Sequence, residues 1–201
     1  DTENSTAVLE LGNTLAEEVR VEVAVYRALG GEPVYSETYK LKPHATQHLI
    51  TDQILTGGKG IATVKGEKLA SVIATAMEYG RTETQGIQTV YGIQASEGLG
   101  TVLKGSYNTF LQQGCRLLMA NPTSSEAIAT VSMNRYDGTN TELGRKLAVP
   151  AHGLKDYDLC AEEIENAYGV VTVVPQTRNS IFATVLRIGT DEDYRFINPV
   201  R

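Results

Sequence analysis

The 201-residue chain has no tryptophan, only three phenylalanines and only two cysteines. Cys115 and Cys160 lie 45 residues apart, which fits neither a CxxC redox pair nor a set of zinc ligands. A disulfide and two buried free thiols are both compatible with this spacing. If the protein is exported, a bridge is favoured, and it would add about 3 to 4 kcal/mol by restricting the unfolded chain.

The chain also lacks an excess of positive charge, because 18 basic residues face 24 acidic ones and the net charge is -6. Without a basic cluster, no broad field attracts phosphate backbones, so we predict no nucleic-acid partner. The longest apolar stretches, such as residues 169–174, are far shorter than the roughly 18 to 20 residues that span a bilayer. We therefore predict no transmembrane segment; a leader for export would lie upstream of Asp1.

Common catalytic motifs are absent as well. The sequence contains no GxSxG, HExxH, P-loop or GxGxxG pattern, so we predict no catalytic residues and no cofactor. His44 and His48 are spaced for a shared metal on a helix, but they follow Pro43 in a segment typical of a loop or strand. A metal site needs further ligands that the sequence does not offer, so we predict none.

Two acidic stretches contain oxygen ligands of the kind that Ca²⁺ prefers, but their spacing is not that of an EF-hand. We interpret them as solvated loops, with calcium binding as the alternative. The residues are Asp156, Asp158, Glu162, Glu163, Asp191, Glu192 and Asp193.

The most informative feature that is present is an internal repeat. Residues 12–30 read "GNTLAEEVRVEVAVYRALG" and residues 120–138 read "ANPTSSEAIATVSMNRYDG". At an offset of 108, identical residues coincide in both copies: Asn13 with Asn121, Val23 with Val131, Arg27 with Arg135 and Gly30 with Gly138. A collinear repeat of this length indicates two copies of one structural module.

Small gaps extend the match towards the end of each copy. A one-residue gap brings Pro43 onto Pro150, and a short insertion brings Leu49 onto Leu159. In this alignment the two cysteines occupy positions where the first copy has Ala7 and Ile50. An offset of 109 then aligns Gly60 with Gly169, Ala74 with Ala183 and Gly80 with Gly189.

The repeated segments alternate between apolar and polar residues, as half-buried strands do. In the first copy Val19, Val21, Val23 and Val25 alternate with Arg20, Glu22 and Ala24. Further strands are predicted at 34–41, 60–65, 70–79, 87–93, 143–149, 169–174, 179–188 and 194–198. About six or seven short strands in roughly 95 residues is the pattern of an antiparallel β-sandwich.

Helix is sparse, with one turn predicted near 51–57 and another near 161–167. Residues 94–110 have no counterpart after the second copy, and they form either a linker or an added edge strand between Gly100 and Gly105. The predicted fold is all-β, with two tandem antiparallel sandwich domains related by internal duplication. Their boundaries are 1–102 and 103–201.

The hairpins "YRALGG" and "RYDGTN" and the mid-module stretches "LKPH" and "AVPAH" resemble the tandem immunoglobulin-like or fibronectin-like modules of bacterial exported and cell-surface proteins. This resemblance covers nearly the whole chain. It implies immunoglobulin-like sandwiches, an extracytoplasmic location and protein or glycan partners at the cell surface.

Ten tyrosines are present, and exposed aromatic faces are common platforms for sugars. Four of them lie in sequence near the first hairpin of each copy. We predict either that they form a surface patch or that their rings pack at strand ends with the hydroxyls exposed to water. They are Tyr26, Tyr35, Tyr39 and Tyr136.

The expected function is that of a non-catalytic structural or interaction protein of the bacterial cell envelope, acting in adhesion or as a spacer. A glycan- or peptide-binding module is the alternative. A hydrolase is the third, and it would need residues that only one copy has, such as His48, Asp156 or Cys160.

Overall fold

A computed structural model describes residues 5–82, 86–95, 101–110, 113–161, 167–188 and 195–200 of the chain. The prediction of an all-β protein is confirmed: strands in four antiparallel sheets make up the regular structure. The chain divides into two compact units, residues 1–96 (unit 1) and residues 97–201 (unit 2). No helix in the described ranges has the length and apolarity needed to cross a membrane.

Unit 1 contains two sheets whose strands come from seven segments. The sheet orders are β4-β1-β6-β7 and β3-β2-β5, and one 3₁₀ turn, Thr51–Gln53, follows β4. The strands are β1 (Ser5–Asn13), β2 (Val19–Arg27), β3 (Tyr35–Leu41), β4 (Thr46–Ile50), β5 (Gly60–Gly66), β6 (Val72–Thr82) and β7 (Gly86–Gln94).

Among the described residues, unit 2 also contains two sheets, with one strand more than unit 1. The sheet orders are β12-β9-β14-β15 and β11-β10-β13-β8. The strands are β8 (Leu103–Asn108), β9 (Gly114–Ala120), β10 (Ala127–Arg135), β11 (Asn140–Val149), β12 (Leu154–Asp158), β13 (Tyr168–Pro175), β14 (Phe182–Ile188) and β15 (Arg195–Val200). The extra strand, β8, lies at a sheet edge, as in one of the two interpretations of residues 94–110, but it spans Leu103–Asn108 rather than 100–105.

Each unit buries the apolar faces of its two sheets against each other, as in a β-sandwich. In unit 1, the four valines of β2 are at most 1% exposed and pack with Leu9 and Leu11 of β1. In unit 2, Ala129 and Val131 of β10 pack in the same way with Leu117 and Met119 of β9. The apolar face predicted for Val19 to Val25 is therefore the buried face of β2.

A buried asparagine organises one end of each unit. The Asn13 side-chain amide lies 3.1 Å from the carbonyl of Leu41 and 2.9 Å from that of Lys42, and its Oδ1 accepts from the Leu15 amide. Asn121 contacts the corresponding backbone groups at 3.1, 3.0 and 2.9 Å; they are those of Val149, Pro150 and Thr123. An asparagine can do this because it carries both donors and an acceptor.

Two further pairs of residues make matching contacts in the two units. Gly60 lies so close to the Tyr26 carbonyl that a Cβ would clash with it, and Gly169 lies equally close to the Asn134 carbonyl. Buried Ser71 and Ser180 each donate to the backbone carbonyl three residues earlier, both at 2.7 Å. We call residues that make matching contacts counterparts.

Backbone hydrogen bonds correct the sequence alignment in the middle of each unit. His44 donates to the Leu15 carbonyl and His152 donates to the Thr123 carbonyl, so the two histidines are counterparts at the unchanged offset of 108. The gap that aligned Pro43 with Pro150 was therefore wrong, because both histidines hold a positive φ in the same turn.

The strands that follow these turns were not predicted as separate strands. β4 pairs with β1 and β12 pairs with β9. In this register Leu49 is the counterpart of Tyr157, not of Leu159, since they face Leu9 and Leu117 respectively. Both strands lie at sheet edges. Polar residues are tolerated there because the strand has a neighbour on one side only and faces water on the other.

Candidate functional site

A disulfide links Cys115, on β9, to Cys160, just after β12. The Cα atoms are 5.2 Å apart, and the Cys115 side chain is fully buried. The backbone supports the bridge, because the amides of Leu159 and Cys160 both donate to the Cys115 carbonyl. The bridge therefore fastens the chain after β12 onto the strand that β12 already pairs with.

In unit 1, hydrogen bonds rather than a disulfide join the first strand, β1, to the turn that follows β4. The Ala7 amide donates to the Asp52 carboxylate at 2.9 Å, and the Thr51 hydroxyl donates to the Ala7 carbonyl at 2.9 Å. Ala7 is the counterpart of Cys115, and Asp52 takes the place of Cys160 at the same 45-residue separation. The alignment of Cys160 with Ile50 was thus two residues out of register.

The three predicted patch tyrosines of unit 1 lie on two faces of one sheet. Tyr35 and Tyr39 pair with Val25 and Val21 across the strands, so they share the inward face and pack against the core. Tyr26 follows Val25 along β2 and therefore points to the opposite face. Their hydroxyls do not share one surface.

The hydroxyls of Tyr35 and Tyr39 share a hydrogen bond. Burial raises the pKa of the Tyr39 phenol well above its ordinary value, and the hydrogen bond to Tyr35 raises it further. The Tyr39 phenol therefore stays neutral at physiological pH. The two tyrosines together close the edge of the core. This is packing at a strand edge, as in the alternative interpretation of these tyrosines.

Tyr136, the fourth predicted patch residue, belongs to unit 2 and is 67% exposed. Its ring stacks on that of Tyr168, with centroids 4.7 Å apart and an angle of 15° between the planes. The ring of Phe110 lies 5.7 Å from Tyr168 and is also exposed. These three residues form an exposed aromatic cluster at one end of the β8, β10 and β13 sheet.

Sequence reasoning missed Tyr168 and Phe110, although one signal for Tyr168 was available. The repeated Gly169 pairs with Arg135, so the next residues along the two strands, Tyr168 and Tyr136, have to be neighbours. The Tyr136 amide donates to the Tyr168 carbonyl at 3.0 Å. Phe110 lies beyond β8, whose pairing the repeat does not predict.

The histidines and aspartates considered as ligands are found in separate contacts. His44 sits in a turn, while exposed His48 on β4 lies 3.6 Å from the Glu10 carboxylate. Asp156 accepts from Arg116 at 2.6 Å, and Asp158 lies 3.9 Å from the same guanidinium. Among the residues described, no three His, Cys, Asp or Glu side chains gather as a metal site.

The remaining calcium candidates fall elsewhere. Glu162, Glu163, Asp191, Glu192 and Asp193 lie outside the described residues. The two described aspartates of that set, Asp156 and Asp158, face a cation rather than each other. In the structure, Asp156 and Asp158 form an ion-pair network with Arg116 on the surface of the paired strands β9 and β12.

Comparison with known proteins does not assign the chain to a family. No protein-family model matches the chain, and no curated protein matches it. Proposals about its function therefore rest on the contacts described above.

Proposed function

We propose that the chain is a non-catalytic structural or interaction protein, exported to the bacterial cell envelope, where it acts in adhesion or as a spacer. It is built from two immunoglobulin-like sandwiches that arose by duplication of one module. The matched contacts of Asn13 and Asn121 support the duplication, because two segments of unrelated origin have no reason to repeat four hydrogen bonds around one side chain.

The polar residues that are buried in both units support a scaffold role. Asn13 and Ser71, like their counterparts Asn121 and Ser180, hydrogen-bond to backbone groups. Such residues satisfy the backbone where strands end in turns. What the two modules have retained in common is thus the means of folding.

The residues that a hydrolase would draw from one copy alone favour the same proposal. His48 belongs to unit 1, whereas Asp156 and Cys160 belong to unit 2. Asp156 is bound to Arg116, and Cys160 is consumed in the disulfide. A nucleophilic thiol is therefore not available at Cys160 in the oxidised protein.

The disulfide supports export, since such bonds persist in oxidising compartments and are rare in the cytosol. We expect the protein to be found in the envelope or medium fraction of the cells that make it. After extraction under denaturing, non-reducing conditions with a thiol-blocking reagent, neither cysteine should be alkylated. Recovery in the cytoplasmic fraction with two alkylated cysteines would rule out the exported location.

A glycan- or peptide-binding role is the second candidate, and the exposed aromatic cluster of Phe110, Tyr136 and Tyr168 favours it. Stacked aromatic faces offer an apolar surface next to polar hydroxyls. We expect a glycan array to show binding that Tyr136→Ala reduces by about tenfold, a loss of about 1.4 kcal/mol. Tyr26→Ala in unit 1 is the matched control; equal binding by wild type and Tyr136→Ala would remove this role for the cluster.

A further inference from the structure

The outward surface of one sheet of unit 2 differs in charge from the corresponding surface of unit 1. Successive side chains of a strand point to opposite faces of the sheet. Because Val131, Val171 and Val173 point into the core, the residues that alternate with them on β10 and β13 point outwards. We call the surface that these residues form the outer face of unit 2. Its central residues are Ile128, Thr130, Ser132, Val170, Thr172 and Val174.

Backbone hydrogen bonds identify the counterparts of this face in unit 1. The Ala28 amide donates to the Lys59 carbonyl at 2.9 Å, and the Tyr136 amide donates to the Tyr168 carbonyl at 3.0 Å. Ala28 is therefore the counterpart of Tyr136, and Lys59 is that of Tyr168. The two aromatic rings that stack in unit 2 thus have an alanine and a lysine in their place in unit 1.

The other end of the outer face can be matched in the same way. The Glu67 amide donates to the Arg20 carbonyl at 3.1 Å, and the Gln176 amide donates to the Ile128 carbonyl at 2.8 Å. Arg20 is therefore the counterpart of Ile128, and Glu67 is that of Gln176. Unit 2 has two uncharged residues at this end, where unit 1 has a cation and an anion.

The middle of the two faces shows the same contrast. In unit 1, Glu22 lies opposite Lys65, with the carboxylate and ammonium groups 3.6 Å apart. At the matching register in unit 2, Thr130 lies opposite Val174. Five of the six positions compared are thus charged in unit 1, and none is charged in unit 2. Both faces cover the same kind of core, so the fold does not require this difference.

The outer face of unit 2 places hydroxyl groups beside aliphatic side chains. Ser132 lies opposite Thr172, and Val170 lies opposite Ser106 of β8. Val170 and Ser106 are exposed, while Ser132 and Thr172 are partly buried. A pyranose ring has hydroxyls around its edge and C–H groups on its two faces, so it can contact both kinds of side chain.

The exposed aromatic cluster continues this face at one end. Tyr168 is the outward residue that precedes Val170 on β13, and its ring carries that of Tyr136. The carboxylate of Asp137, the next residue of the hairpin, accepts from the amide and the hydroxyl of Thr139. It is therefore held within its own turn. The aromatic rings provide the apolar platform on which the C–H face of a sugar stacks.

The charges that flank the outer face of unit 2 are positive. Lys146 of β11 lies opposite Thr130, and Lys104 of β8 lies opposite Thr172. Both lysines are exposed. Three strand spacings of roughly 4.8 Å and an offset of two residues place their Cα atoms about 16 Å apart. None of the outward strand residues described on this sheet is acidic, although the whole chain has a net charge of -6. Charge complementarity therefore favours an acidic ligand.

We propose that the outer face of unit 2 binds an acidic glycan chain. One sugar ring stacks on the exposed aromatic cluster, and carboxylate groups further along the chain face Lys104 and Lys146. Tyr168 and Thr172 are about 14 Å apart along β13, a distance that calls for a chain rather than a single sugar. The inference rests on the glycan-binding role proposed for the cluster and names the class of glycan.

The test is an array of uronic-acid oligosaccharides, each printed beside the same oligosaccharide with its carboxyl groups reduced to alcohols. We expect the full chain to bind acidic members at least about tenfold more tightly than their reduced forms. Added salt should weaken this binding, because it screens exposed charges. Binding to no acidic member, or equal binding to both forms, would overturn the proposal.

The double variant Lys104→Gln and Lys146→Gln should bind the acidic oligosaccharides at least about tenfold more weakly. The matched control is Lys40→Gln with Lys65→Gln, which removes the same charge from the corresponding face of unit 1. All four side chains are exposed, so both double variants should fold. The control should bind as the wild type does. An equal loss in both double variants would indicate attraction by overall charge and would contradict a site on unit 2.

Nuclear magnetic resonance of the wild-type protein locates the ligand without any variant. The acidic oligosaccharide should shift the amide signals of Tyr168 and Thr172, and leave those of Thr63 and Lys65 in unit 1 unchanged. Shifts in unit 1 alone would refute the assigned face. An acidic peptide is the competing ligand: if poly-glutamate binds the same residues as tightly as the oligosaccharide, the glycan is the wrong partner.

The variants also separate this inference from the role on which it rests. If Tyr136→Ala abolishes glycan binding while the Lys104 and Lys146 double variant binds normally, the cluster binds glycans but the acidic ligand is refuted. Cellular fractionation does not depend on either result, so the exported location is tested separately.

Discussion

Replacing Cys115 and Cys160 together with alanine is expected to lower the free energy of unfolding of unit 2 by about 3 to 4 kcal/mol. The bridge closes a 45-residue separation, and removing it restores conformational freedom to the unfolded chain. Alanine is chosen because Ala7 occupies the place of Cys115 in unit 1. The measurement is a denaturant titration monitored by hydrogen exchange. The amides of β9 and β14 should lose protection, and those of β1 and β6 should not.

The wild-type protein with reductant is the matched control for this variant. Reduction should lower the stability of unit 2 by a similar amount and should have no further effect on the double alanine variant. Unit 1 should be unchanged in both experiments, because its own closure uses the Asp52 carboxylate and the Thr51 hydroxyl. A double variant as stable as the oxidised wild type would show that the bridge does not stabilise unit 2.

Asn121→Ala is expected to destabilise unit 2 by about 3 kcal/mol, because several buried backbone groups lose a partner at once. The Asn121 side chain is fully buried and contacts the carbonyls of Ser125, Val149 and Pro150. Its Oδ1 also accepts from the Thr123 amide and hydroxyl. Alanine can neither donate nor accept, and water does not readily reach the buried site.

Chemical denaturation of three variants will test this expectation. Asn13→Ala should destabilise unit 1 by a comparable amount, since Asn13 makes the matching contacts there. Ser124→Ala, in the exposed part of the same turn, should change stability by less than about 0.5 kcal/mol. If Asn121→Ala behaves like Ser124→Ala, the asparagine does not hold the turn.

Much of the fold could be predicted because the alternation of Val19 to Val25 has a direct physical cause. An antiparallel strand with one wet face needs apolar residues at every second position. The repeat then extends the same interpretation to the second copy. The strands β4 (TQHLI) and β12 (LKDYD) could not be recognised in this way, because each is only five residues long and has no regular alternation of apolar and polar residues.

Less of the candidate sites could be predicted. The separation of the cysteines was compatible with a bridge, but only the pairing of β9 with β12 brings Cys160 next to Cys115. The patch tyrosines were grouped by their nearness in sequence, whereas alternation along β2 separates Tyr26 from Tyr35 and Tyr39. Tyr168 joins Tyr136 through strand pairing over more than thirty residues, which periodicity alone does not reveal.

The different closures of the two units have a mechanical consequence. If the chain is the spacer proposed above, it bears tension along its length. In unit 1, a pull strong enough to separate the strands can extend the whole module. In unit 2, the bond between Cys115 and Cys160 removes a 45-residue segment from the chain that can be stretched, or about 150 Å of contour length at roughly 3.4 Å per residue. Unit 2 is therefore the shorter tether under load, and the redox state of one bond sets how far the protein can lengthen.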